Sequence, residues 1–125
     1  MREEFFGEKE YKEHKLKIHW GSPPDLSEYD KSMCSVYVIP KSEDNTLFTE
    51  RTTISNDAKI IGINIIKRIF PKIENHEKFL MKKIIEYTYK NAKERINSKD
   101  FEKGKTYKNE ISLENFKQWL DKIKG

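Results

Sequence analysis

Between Glu74 and Asn97 the sequence runs through 24 residues without a proline or glycine. Placed about 100° apart, Leu80, Met81, Ile84, Ile85, Tyr87, Ala92 and Ile96 gather on one broad arc of a helix. Lys82, Lys83, Glu86, Lys90, Lys93 and Glu94 fall on the opposite arc. A helix with one apolar stripe cannot bury that stripe by itself, so the rest of the chain has to supply a second layer for it. This long segment, expected as a helix over 75–97, limits the fold to architectures in which a sheet or further helices cover one side of it.

The second layer is legible upstream. From 13 to 20, Leu16, Ile18 and Trp20 alternate with Lys15, Lys17 and His19, the period of a strand with one buried face. Over 33–39 the run Val36, Tyr37, Val38 and Ile39 is β-branched or aromatic throughout and predicts a buried strand, which Pro40 stops. A third strand is expected over 46–54, joined to the second by the polar stretch 41–45. The segment 21–30 holds Pro23 and Pro24 among turn formers and reads as a surface loop.

Ser55, Asn56 and Asp57 offer capping side chains, and Ala58, Ile61, Ile65 and Ile69 recur at near-helical spacing, so a helix is expected over 57–69. Because Ile61, Ile63 and Ile65 also alternate, a strand is the competing reading, and Pro71 ends either. Ser112 is expected to cap a last helix over 113–123, where Leu113, Phe116, Leu120 and Ile123 are spaced by three, four and three. Residues 98–110 are polar and read as a linker, and residues 1–10 as a flexible N-terminus. The expectation is one α+β domain over 1–125, with a small antiparallel sheet of about three strands and three helices packed on one face.

Charged residues make up 37% of the chain and hydrophobic ones 35%, so the core has to be lean, although 12% aromatics keep the chain out of the disordered class. Lys and Arg number 9 against 12 acids in residues 1–60, and 16 against 9 in residues 61–125, giving an acidic front and a basic back. Cys34 is the single cysteine and cannot form an internal disulfide, which implies a reducing compartment and a cytoplasmic location. The acid-rich N-terminus lacks the apolar stretch of a signal peptide. The apolar run 60–70 is interrupted by Gly62, Asn64, Lys67 and Arg68, so no membrane association is expected. Heavy use of Lys, Ile, Asn and Glu fits AT-rich coding DNA, as in many bacteria and their phages.

No pattern of chemistry closes. His14 and His19 are the nearest pair of strong metal ligands, but their odd separation sends them to opposite faces of a strand. His76 falls at the start of the long helix, and Cys34 in a strand with no activating neighbour in the sequence. Gly104-Lys105-Thr106 has Lys99 where a phosphate-binding loop needs its first glycine. Asp25 after Pro24, followed by Asp57-Ala58-Lys59, loosely follows the order of acids and lysine in magnesium-dependent nucleases, but asks for residues 57–59 on a strand. The sequence therefore points to no catalytic residue, no metal and no cofactor, and to a non-enzyme.

What remains is binding. In size, charge and composition the chain resembles in kind the immunity proteins and phage-encoded inhibitors that block the surface of a toxin or defence enzyme. Trp20 and Tyr29, at the edges of the proline loop, are the expected anchors for such a protein partner. The alternative is a nucleic-acid-binding accessory protein that uses Lys82, Lys83, Lys90 and Lys93 on the long helix. Glu86 and Glu94 interleave with those lysines and dilute their field.

Overall fold

The computed structural model describes residues 2–22 and 31–124. In chain order the elements are β1 (Arg2–Tyr11), β2 (His14–Ser22), β3 (Lys31–Pro40), β4 (Phe48–Ser55), α1 (Asn56–Ile69), α2 (His76–Ser98), β5 (Thr106–Ile111) and α3 (Phe116–Lys124). The five strands form one sheet in the order β1-β2-β3-β4-β5. The first three pairings are antiparallel and the last is parallel. The parallel step follows from connectivity. After β4 the chain passes through α1 and α2 before returning to the sheet, and a long crossover of this kind brings a strand back in the same direction.

The sheet corrects the expectation of about three antiparallel strands: there are five, and the sheet is mixed. The two unexpected strands are its edges. β1 covers most of the stretch read as a flexible N-terminus, and β5 begins in the stretch read as a linker and ends one residue past it. Edge strands pair on one side only and carry charge that discourages further pairing. β1 accordingly holds Arg2, Glu3, Glu4, Glu8, Lys9 and Glu10, and β5 holds Lys108 and Glu110, so neither shows an apolar run. Gly7, at φ 151, follows a shift of register between Phe5 and Gly7, a bulge that leaves Phe6 opposite no partner.

Alternation divides the sheet into two faces. Leu16, Ile18, Val36, Val38, Phe48 and Ile54 point to one side, where they are buried with Leu80, Ile84, Ala92 and Ile96 of α2. Burying each leucine or isoleucine fully stabilises the fold by about 1.5–3 kcal/mol, so this seam holds the two layers together. α1 adds Ala58, Gly62 and Ile66 to the buried set, and α3 adds Phe116 and Trp119. A Cβ at Gly62 would stand 3.2 Å from Leu80 Cδ2 and 3.3 Å from Phe116 Cζ, so this glycine is what lets the helices approach so closely.

The region 57–69 is helical. Ser55 accepts a hydrogen bond from the amide of Ala58 at 3.4 Å and caps the helix. Asn75 caps α2 in the same way, from the amide of Lys78 at 3.0 Å. α3 begins at Phe116 rather than at Leu113, because Asn115 folds back on the chain. Its Oδ1 accepts from the amide of Ser112, and its Nδ2 donates to the carbonyl of Glu110. Leu113, expected on the apolar stripe of that helix, is 50% exposed. No helix among the described residues is long and apolar enough to cross a membrane.

Candidate functional site

Where α1 hands over to α2, the chain turns at Phe70, Pro71, Lys72 and Ile73. Proline ends the helix, since it offers no amide to continue the ladder. The turn is tied down by backbone and side chain together. The amide of Phe70 donates to Ile66 O at 2.7 Å, the amide of Ile73 donates to Phe70 O at 3.2 Å, and His76 Nε2 lies 2.9 Å from the same Phe70 carbonyl. The ring of Phe70 rests on that of Phe79, with centroids 5.3 Å apart. So held, the corner still leaves Ile69 42% and Phe70 36% exposed, and with Pro71, Lys72 and Ile73 they line a shallow apolar depression. Lys72 is exposed there, and Lys67 and Arg68, also exposed, belong to the last turn of α1. Each end of the pattern has a local cause: Pro71 stops α1 one residue after Phe70, and the apolar periodicity of α1 runs out at Ile69 with no helix left to cover it.

The residues nominated from the sequence sit elsewhere. Trp20 lies on the helix side of β2, half-buried at the edge of the core, where it lines a small cavity with Lys59, Glu77, Leu80 and Met81. Tyr29 and the loop around it lie outside the described residues, as does Asp25. On α2, Lys83 is bonded to Glu86 at 3.6 Å, and the ammonium of Lys93 sits over the ring of Tyr89, 4.5 Å from its centroid. Lys82 and Lys90 are exposed. The four lysines share one flank of the helix, but two of them are engaged by neighbours.

Asp57 and Lys59 fall in the first turn of α1, not on a strand. Lys59 Nζ there meets Glu77 at 3.9 Å and Ser32 Oγ at 3.4 Å. His19 meets the ring of Tyr37 edge-on at 5.0 Å, on the side of the sheet turned from the helices, while alternation puts His14 on the other side. Among the described residues no group of three or more His, Cys, Asp or Glu side chains is placed to hold a metal ion. Cys34 is buried on the helix side of β3, where removal from water pushes its thiol up to about 12, against a smaller opposing effect of its hydrogen bond with Thr88. A thiol so protonated is a poor nucleophile at neutral pH.

Beneath the helices runs a polar seam that no reading of the sequence anticipated. Glu50 is fully buried on β4, with Oε1 2.6 Å from Arg95 Nε and Oε2 2.8 Å from Asn109 Nδ2. Arg95 in turn lies over the ring of Tyr107, 3.8 Å from its centroid. One turn of the sheet away, the hydroxyls of Thr52 and Thr88 are 2.8 Å apart, and Thr88 also donates to Ile84 O. These polar groups find partners within the protein, and their contacts fix α2 and β5 on β4.

Comparison of the chain with protein-family models, with curated proteins and with solved structures finds no match.

The apolar corner is the surface that sequence reading passed over. Pro71 read as a stop signal, and Ile69 as one more member of an inward stripe. The overlooked signal was local: two large apolar residues directly before a proline, set among Lys67, Arg68 and Lys72, have no helix left on which to be inward.

Proposed function

We propose that this chain is a protein-binding, inhibitory protein that docks on a partner through the corner between α1 and α2. The observation that carries this reading is the exposure of Ile69 and Phe70 on a rigidly held turn, with Lys72 beside them and Lys67 and Arg68 in the last turn of α1. Water contact with large apolar side chains is unfavourable, and apolar groups within a polar rim are the usual anatomy of a protein interface. The turn is already ordered by Ile66, Asn75 and His76, so little conformational freedom is lost when it docks. The neighbouring cations favour a partner whose matching apolar protrusion is bordered by carboxylates, which also steers the encounter.

The inhibitory part of the reading follows from what a compact docking surface does when it covers a working surface of the partner. Affinity capture with the wild-type chain, Phe70→Asp and Lys82→Glu tests it. Wild type and Lys82→Glu are expected to retain the same protein, and Phe70→Asp to lose it by at least the ~2 kcal/mol of a true anchor, roughly 30-fold in affinity. Titration of the captured partner is expected to abolish its activity at an equimolar ratio.

A further inference from the structure

We propose that the junction between the β1–β2 hairpin and the far half of α2 is a binding site for a phosphate dianion, the terminal group of a phosphate ester. Three ammonium groups meet there around two tyrosine rings. Lys93 Nζ stands 4.5 Å from the centroid of Tyr89 and 5.8 Å from that of Tyr11. Lys9 Nζ lies 5.1 Å from the Tyr89 centroid, and Lys12 Nζ 5.5 Å from the Tyr11 centroid. Register and periodicity account for the meeting. Lys9 pairs with the buried Leu16 and Tyr11 with His14, which puts both on the helix side of β1, while Tyr89, Lys93 and Asn97 follow at four-residue spacing along one flank of α2. Tyr11 Oη donates to Asn97 Oδ1 at 3.0 Å and Lys12 Nζ bonds the same oxygen, so hairpin and helix are fastened to each other.

Two properties of this cluster point to an anion. The first is charge without a counter-charge. None of Lys9, Lys12 and Lys93 lies within 4.0 Å of a carboxylate among the described residues, whereas Lys41, Lys59, Lys83 and Arg95 each do. The acids nearest in sequence are turned or engaged elsewhere. Glu8 and Glu10 alternate onto the opposite face of β1, where Glu10 is bonded to Lys41 at 3.2 Å. Glu86 is bonded to Lys83 at 3.6 Å, and Glu94 lines a groove on another flank of α2 with Asn91, Arg95 and Asp100. Glu13, exposed beside Lys12 in the hairpin turn, adjoins the cluster and leaves it net positive. A ring beneath an ammonium group offsets little of its charge and leaves N–H donors facing outward.

The second property is Lys12 itself. It holds φ 53 at the first of the two turn positions between Tyr11 and His14, where glycine or asparagine is unstrained and lysine is not. An ammonium group kept there against the preference of the backbone, next to two others, serves something other than the turn. Three separate point donors suit a tetrahedral, doubly charged group with three acceptor oxygens, whereas a planar carboxylate is better met by one arginine fork. The rings are taken up by the lysines and position them, so nothing here is left to stack on a base. The cluster stands at the opposite end of α2 from the α1–α2 corner, and neither reading depends on the other.

The site is tested by NMR titration of the full chain with glycerol phosphate and with a short peptide carrying one phosphoserine, which tell a metabolite from a modified protein as the source of the dianion. Saturable shifts centred on Tyr11, Lys12, Lys93 and Asn97 are expected with at least one of them. Affinity is expected to fall several-fold as pH is lowered through about 6, where a phosphate ester loses its second charge. Lys93→Gln and the pair Lys9→Gln/Lys12→Gln are each expected to bind at least tenfold more weakly. The pair Lys103→Gln/Lys117→Gln, which removes charge from exposed positions elsewhere, is expected to bind like wild type. Lys12→Asn, which suits the backbone, is expected to melt at no lower temperature than wild type while losing affinity, a combination that a purely structural lysine does not give. Absence of saturable shifts with both ligands at low salt would overturn the proposal. So would citrate bound as tightly as the phosphate esters, an equal loss in the Lys103/Lys117 pair, or a Lys12→Asn variant that is less stable but binds unchanged.

Discussion

Arg95 reaches from the last turn of α2 to the carboxylate of Glu50, which no solvent touches, and closes on it at 2.6 Å. The pair joins an element from the middle of the sheet to one 45 residues further on, and Asn109 of β5 completes it from the other side. β5 is a short, charged edge strand that buries little. This contact explains why it nevertheless takes a defined register, with Asn109 beside Thr52 and Tyr107 beside Glu50.

Removing Arg95 leaves a buried carboxylate with only Asn109 to compensate it. Arg95→Ala is therefore expected to lower stability by about 2–4 kcal/mol, below the loss for a fully buried pair because Arg95 itself is partly exposed. Glu50→Gln, which keeps a hydrogen-bonding oxygen and loses the charge, is expected to cost less. Urea unfolding of the three proteins reads the order, and an Arg95→Ala variant as stable as wild type would refute the assignment.

The thiol of Cys34 gives a second, independent probe of the same interior. Its value of about 12 in the folded protein exceeds the ordinary 9.0 because burial disfavours the thiolate. The unfolded chain then releases its proton first, so it binds fewer protons than the native state and stability declines as pH rises from about 9 towards 12. Below pH 9 the group contributes no pH dependence. Native protein at pH 8 is expected to react with a thiol reagent only at its rate of opening, and Cys34→Ala to reduce the alkaline loss of stability. Prompt stoichiometric labelling of native protein would contradict the buried placement.

Thr52 and Thr88 form the third test. Thr52→Val removes the partner that β4 presents to α2 but leaves Thr88 bonded to Ile84 O, so a cost of about 1 kcal/mol is expected. In the double variant Thr52→Val/Thr88→Val both hydroxyls are gone and the site becomes apolar, so the combined loss is expected to be less than the sum of the singles. Strict additivity in thermal unfolding would show that the two side chains are not coupled.

The limits of sequence reading are instructive here. The three central strands were legible because each carries an apolar or alternating run: Leu16-Ile18, Val36-Val38 and Phe48-Ile54. α1 was legible from its capping residue Ser55 and its periodicity, and α2 from its periodicity alone. β1 and β5 were not, because edge strands need little apolar surface, and their pairing is decided by backbone partners and by a distant contact, Glu50 with Arg95 and Asn109, that no local pattern contains. Trp20, read both as part of the alternation with Leu16 and Ile18 and as an anchor beside the proline loop, is half-buried at the edge of the core, a placement that depends on α2 and is contained in no local pattern. The corner at Phe70 escaped notice because periodicity tells which residues share a face but not where the covering layer ends.

The docking role of that corner is the centre of this account, and position 70 itself tests it most directly. A photo-reactive phenylalanine analogue placed at Phe70 is expected to cross-link, in cells that contain the natural partner, to one protein species in good yield. The same analogue at Lys117, exposed on α3, is expected to give no such product. A cross-link to the same species from position 117 and none from position 70 would contradict the account and place the interface on another face of the molecule.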